Sequence, residues 1–408
     1  MKILYLNPAG NVGGAERVLI DTLASLREAR PEWQLEVIAA AAGALTEEVQ
    51  TLGVKSQTIA FPRRLAALGD AAAGGPAGDG LGWPALAARL VTAAPGAIIY
   101  ARRLGRAIAE SAPGLVHTNG FKMHLLGAHS VPARTPLIWH IHDFVSTRPL
   151  MSRLLRAHVR RCAAAIAVSR SVAEDIRAAL GPNLPIATIP NAIDLQRFAA
   201  HGSRLDLDHL AGLPTAPDGT LRIGLVATMA RWKGHEVFVR AIGLLPRTHA
   251  IRAYVIGGQQ YETGGSESSL PELRRLAQSL GLEGRVGFTG FIAGVPAALR
   301  ALDIVVHAST EPEPFGLVIA EAMACGKATI VSAAGGAAEM VTDGVDALTY
   351  QPGDTARLAQ LISVLASDPG LRKKLGSAAS STAARRFGRE RLGPQLLPVY
   401  AQALARGH

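Results

Sequence analysis

Short apolar runs alternate with stretches of helical periodicity along this chain, and that alternation narrows the fold more than any other feature. It is the pattern of parallel strands joined by crossover helices. In the first half the spacing predicts strands at Lys2–Leu6, Leu35–Ala40, Ser56–Phe61, Leu115–Thr118, Leu137–His142, Ala165–Val168 and Ile186–Ile189. In the second half it predicts them at Arg222–Ala227, Ala253–Ile256, Val286–Thr289, Ile304–His307, Thr329–Ser332 and Ala347–Tyr350. At 408 residues the chain is too long for one core, so two Rossmann-like α/β domains in tandem follow. Residues 191–220, rich in Pro, Gly, Asp and His and weakly periodic, are the expected linker.

Composition removes several classes of function. With 49% hydrophobic and 18% charged residues the chain is globular. Cys162 and Cys325 lie far apart without metal-ligand spacing, which fits a reducing cytoplasm and no disulfide framework. The opening run Met1–Leu6 meets Asn7-Pro8 too soon for a signal peptide. The nearest thing to a membrane span, Ala85–Tyr100, is interrupted by Arg89, Pro95 and Gly96 and is expected to be a helix with a turn. A net charge of +10 favours anionic partners, namely nucleotide diphosphates, an anionic membrane surface or nucleic acid, although arginines on solvated faces supply part of it. Aromatic residues make up only 5% and no basic-aromatic module occurs, so nucleic acid is excluded. Gly69–Gly82, almost wholly Ala, Gly, Pro and Asp, is expected to be a mobile loop, either a lid or a plain insertion.

The chemistry concentrates in His307–Gly326. An apolar run ends there, Pro312 and Pro314 forbid further pairing, Leu317–Ala324 are strong helix formers, and Gly326 stops the helix. The first amides of a helix lack partners and carry its positive end. The sequence assigns those amides to Phe315, Gly316 and Leu317, with Gly316 leaving room for a ligand. Glu313 sits just before them, where it can accept from sugar hydroxyls. Glu321 lies one turn beyond Leu317, where a carboxylate suits the paired hydroxyls of a ribose.

Glu313-Pro-Phe-Gly-Leu-Val followed by Glu321-Ala-Met-Ala-Cys-Gly resembles the signature of the retaining nucleotide-sugar glycosyltransferases of family 4, which have the GT-B fold. The resemblance implies two Rossmann-like domains facing across a deep cleft. Residues 1–200 would form an acceptor-binding domain, with a last helix (about 388–408) packing back on it. Residues 201–387 would bind the donor. It also implies that Glu313 holds the donor sugar, that the Phe315, Gly316 and Leu317 amides face it, and that Glu321 binds ribose.

Further motifs occur in the order this resemblance requires. Gly13-Gly14 open a helix after the first strand, in a loop similar to the family's first glycine-rich loop near the donor phosphates. It lacks the dinucleotide Gly-x-Gly-x-x-Gly spacing, which argues against a dehydrogenase. His140 and His142 share a face of the strand that ends at Asp143; with no third ligand evident, His142 is expected to line the cleft near the acceptor rather than bind a metal. Asn119 and Lys122 follow another strand on the acceptor side; the family often has His where Asn119 stands, and His117 reads equally well as a core residue. Arg231 and Lys233 resemble the cations that bind the diphosphate, although Thr228 replaces the usual early Arg. Gly257, Ile292 (beside the base) and the Gly335-Gly336…Glu339 turn match the remaining nucleotide-side segments.

The expectation is therefore a cytoplasmic enzyme, in part peripheral to the inner membrane face. It would transfer a sugar from a nucleotide diphosphate to a glycan or lipid-linked hydroxyl in cell-envelope or polysaccharide assembly. It would retain configuration and use no metal or other cofactor. No positioned nucleophile is evident, so same-face attack assisted by the leaving phosphate is expected. A non-hydrolysing nucleotide-sugar epimerase and a non-catalytic GT-B nucleotide-binding subunit are the alternatives.

Overall fold

The computed structural model describes residues 1–66, 83–258 and 269–406. The chain divides into two compact units, residues 1–192 with 389–408 and residues 193–388. The expected loop Gly69–Gly82 lies outside the described residues.

The first unit is a seven-stranded parallel sheet of β1 (Lys2–Asn7), β2 (Gln34–Ala39), β3 (Lys55–Thr58), β4 (Leu115–Asn119), β5 (Leu137–Ile141), β6 (Ala164–Ala167) and β7 (Ile186–Thr188). Its order is β3-β2-β1-β4-β5-β6-β7, so strand order reverses between β1 and β4. β4, β5 and β6 are buried throughout, as parallel strands covered by helices on both faces must be. The predicted third strand is cut short. Regular pairing ends at Thr58, although the Ile59 and Phe61 amides still donate to Ala39 O and Ala40 O at 3.0 Å, and the Phe61 ring lies tilted against buried Tyr100 at 4.8 Å between centres.

The helix Trp83–Ser111 continues through Pro95 and Gly96, where a turn was expected. Proline removes only the bond to the carbonyl four residues back, and Val91, which owns that carbonyl, is exposed to water. The last helix, Leu392–Arg406, belongs to this first unit. It is pinned to the helix Gly14–Ala29 by Gly393 N–H donating to Ser25 Oγ at 2.8 Å. Ile3, Leu23, Val37, Ile166 and Leu396 share one core around this contact.

The second unit repeats the plan with six parallel strands: β8 (Leu221–Val226), β9 (Ile251–Ile256), β10 (Val286–Gly290), β11 (Ile304–His307), β12 (Ala328–Ser332) and β13 (Leu348–Tyr350). The order is β10-β9-β8-β11-β12-β13, with the reversal between β8 and β11. Phe238, Val255, Ile304, Ile330 and Leu358 centre its core. In open sheets of this kind ligands bind beyond the carboxyl ends of the strands where the order reverses. That rule selects the loops after β1 and β4 in one unit and after β8 and β11 in the other.

Candidate active site

In the second unit the two selected loops meet. After β8, Arg231–Lys233 form a short 3-10 turn, and after β11 the chain runs through Ser309 to Glu313. Lys233 Nζ donates to both oxygens of Glu313, at 2.7 and 2.9 Å, across 80 residues of sequence. Its ammonium also lies 3.9 Å from the centre of the Trp232 ring. Glu313 is buried at 6% exposure. Burial alone would raise its pKa; the Lys233 charge and the hydrogen bond from His307 outweigh that and hold it well below the carboxylate range. Arg231, in the same turn, is exposed.

Gly234 locks this meeting. It sits in the left-handed region at φ +72°, and a Cβ there would lie 1.8 Å from the Ala308 carbonyl oxygen. Gly234→Ala is therefore expected to cost at least about 2 kcal/mol of stability and to displace Lys233 from Glu313. Thermal unfolding of the variant against wild type checks it.

The turn after β12 fixes the far side of Glu313. Glu313 N–H donates to Ala334 O at 3.3 Å, and Gly336 N–H donates to Glu313 O at 2.7 Å. Gly335 thus serves the backbone of Glu313, and Glu339 follows in the helix Gly336–Met340. The helix after Glu313 begins at Leu317, as the run Leu317–Ala324 predicts, with Gly316 as its N-cap. Phe315 lies outside it, with its ring buried edge-on to Phe387 at 5.8 Å. The Ile319 amide already bonds to Gly316 O at 2.9 Å. Leu317 and Val318 therefore supply the helix-end donors, and Glu321 is half-buried one turn on. Gly257 is where β9 crosses close to β8: a Cβ there would meet Ala227 O at 1.8 Å. Ile292 is half-buried beside Phe291, which is 67% exposed.

In the first unit the glycine loop after β1 is organised by a residue the sequence reading passed over. Glu16, buried at 4%, accepts from Gly13 N–H at 3.1 Å and from Asn7 Nδ2 at 3.2 Å. The Gly13 amide is therefore already spent, and Gly14 opens the helix behind it. The signal was present: glycine at the N-cap with Glu three residues on is a capping pattern.

Beyond β4 and β5 the structure gathers histidines. His142 Nε2 faces Asn119 Oδ1 at 3.3 Å. The His142 ring lies 4.1 Å from that of His140, which lies 5.2 Å from His117. His117 Nδ1 contacts Tyr400 Oη at 2.8 Å, and Tyr400 contacts Tyr5 at 2.9 Å, so His117 joins a core network. Burial pushes His117 down to about 3 and His142 to about 4, with the charge on His142 further opposing His117. Among the described residues no set of three His, Cys, Asp or Glu side chains forms a metal cluster. Asp143 is ion-paired to Arg148 at 2.7 Å. Lys122 spans to the carbonyls of Leu65 and Ala66 at 3.4 and 3.3 Å, tying two helices together.

Comparison with known proteins follows this division. Residues 12–197 match the family described as Glycosyltransferase Family 4, and residues 214–382 match Glycosyl transferases group 1. A D-inositol 3-phosphate glycosyltransferase of Xylanimonas cellulosilytica is 33% identical over 251 residues, 60% of this chain and 58% of that protein. The lipopolysaccharide core biosynthesis glycosyltransferase LpsD of Rhizobium meliloti is 32% identical over 196 residues, 48% of this chain and 53% of its own length. The match thus spans a little over half the length of these relatives. The crystal structure of Anabaena HepE in complex with UDP-glucose superposes with a TM-score of 0.78 at 27% identity, covering 98% of this chain and 99% of that one.

Proposed function

Because this chain belongs to the GT-B glycosyltransferases, with a Family 4 amino-terminal unit and a group 1 carboxyl-terminal unit, we propose that it transfers a sugar from a nucleoside-diphosphate donor to a hydroxyl acceptor. The observation that carries this reading is the Lys233–Glu313 pair at the strand-order reversal of the second unit. A diphosphate needs a cation and a sugar needs an acceptor of its hydroxyl protons, and the two loops bring one of each together. In the bound state Lys233 turns to the phosphates, with Arg231 beside it, and Glu313 takes a sugar hydroxyl. The helix-end amides of Leu317 and Val318 face the leaving group, and Glu321 takes the ribose. The likeness to HepE makes UDP-glucose the first donor to test.

The cation at position 233 neutralises charge developing on the leaving phosphate, so the reaction proceeds without a metal. Attack on the face the phosphate leaves then delivers the sugar with retained configuration. The acceptor side falls to the first unit, where Asn119 orients His142. A glycan or lipid-linked acceptor is the working choice, and the net charge of +10 suits an anionic membrane surface. Among the described residues no helix is long and apolar enough to cross a membrane.

The test is a transfer assay with UDP-glucose and a panel of hydroxyl acceptors, run with and without EDTA, with the product's anomeric configuration read by NMR. Transfer that survives EDTA and retains the donor's configuration is expected. A new nucleotide sugar formed from donor alone would identify an epimerase instead, and binding without turnover a non-catalytic subunit.

A further inference from the structure

The two oxygens of Glu313 are held unequally. Oε2 accepts from Ser309 Oγ at 2.8 Å and from Lys233 Nζ at 2.9 Å, and His307 Nε2 lies 3.3 Å away. Among the described residues Oε1 accepts from Lys233 alone, at 2.7 Å. Ser309 Oγ is also 3.1 Å from His307 Nε2. The serine has one proton, and a carboxylate can only accept, so the serine hydroxyl points to Glu313 and the imidazole carries its proton on Nε2. Among the described residues His307 Nδ1 has no hydrogen-bond partner. Ser309 and His307 are buried at 1% and 4%. Their main-chain carbonyls are fixed by the neighbouring strands, through Ser332 Oγ at 2.5 Å and Tyr350 Oη at 3.4 Å.

We propose that Ser309 and His307 are positioning residues that hold Glu313 by Oε2, so that donor entry draws Lys233 onto the diphosphate and opens Oε1 to a sugar hydroxyl without turning the carboxylate. Lys233 is the movable partner: an ammonium on a four-carbon stem reorients easily, and a diphosphate offers it more charge than one carboxylate. A buried carboxylate stripped of its only partner is strongly disfavoured. The two donors on rigid backbone keep Glu313 paired through the exchange. This inference rests on the reading of the second unit as a nucleotide-sugar site.

The experiment uses the full chain with UDP and UDP-glucose. Ser309→Ala is expected to lower kcat about tenfold while the donor KM changes less than about threefold, and Ser309→Thr to recover to within about twofold of wild type. His307→Gln, whose amide can replace Nε2–H, is expected to outperform His307→Ala. In calorimetry Glu313→Gln, which frees Lys233, is expected to bind UDP several-fold more tightly than wild type. A Ser309→Ala enzyme as fast as wild type, a Ser309→Thr enzyme as slow as Ser309→Ala, or weaker UDP binding by Glu313→Gln overturns the proposal. The UDP arm stands even if Ser309→Ala does not fold. A wild-type chain that binds no UDP overturns the donor reading itself; one that binds and transfers while Ser309→Ala matches it overturns this inference alone.

Discussion

Glu313→Gln is expected to lower kcat for sugar transfer by about 10²–10³-fold while leaving the fold intact. The amide fills the same space and still meets Ser309, but it no longer offers two anionic oxygens to developing positive charge on the sugar. Lys233→Ala is expected to be at least as damaging and to raise the donor KM as well, because it removes the cation for the phosphates and strands Glu313 without its charge partner. Steady-state kinetics over a range of donor concentrations separate the two signatures. Near-normal turnover in either variant would remove both residues from the site. The Glu313 carboxyl also makes stability depend on pH. Its folded pKa is held far below its unfolded value, so its stabilising pairing is present above the ordinary carboxylate range and is lost only as pH falls through a very acidic folded value.

The second large effect belongs to the first unit and has the opposite chemistry. His117, His124 and His140 are buried at 1%, 0% and 4%, and burial together with their mutual repulsion and that of His142 lowers all three. Their folded pKa values lie below the unfolded value of 6.5, so the unfolded chain takes up protons first as pH falls. Stability is then complete above about pH 6.5 and declines below it. Each fully buried histidine contributes about 2 kcal/mol of loss at pH 5. Three of them sum to about 6 kcal/mol, at the low end of the 5–15 kcal/mol that holds a typical domain together. The melting temperature is expected to drop by more than about 10 °C between pH 7.5 and pH 5. A scanning-calorimetry series at constant ionic strength checks this; a flat profile would mean that the imidazoles can be charged where they stand.

The sheets were legible in the sequence because parallel strands buried on both faces leave unbroken apolar runs, and β1, β6 and β11 stand out for that reason. What covers and pins them was less so. The helix through Pro95 was unreadable because an interior proline normally kinks or ends a helix, and its tolerance here depends on the surroundings of that turn, where Val91 is exposed. Phe315 read as part of a helix start, but its ring is claimed by Phe387, more than 70 residues on. At the site, the motifs named Lys233 and Glu313 singly; that they touch depends on the β8–β11 pairing, which no local spacing reports. Ser309 and His307 lay inside the motif and were passed over, since a serine or histidine after a strand is ordinary until the strand end bends it toward a carboxylate. The hold of Glu16 on the Gly13 amide is legible locally, because a glycine N-cap with Glu three residues on is a capping spacing.

The central claim is that the Lys233–Glu313 pair is the grip for a sugar nucleotide. Calorimetric titration of UDP-glucose into wild type and Lys233→Ala tests it most directly. Saturable binding by wild type that weakens by about tenfold or more in the variant is the result this account predicts. Equal affinity in both proteins, with the variant fully folded, would contradict it.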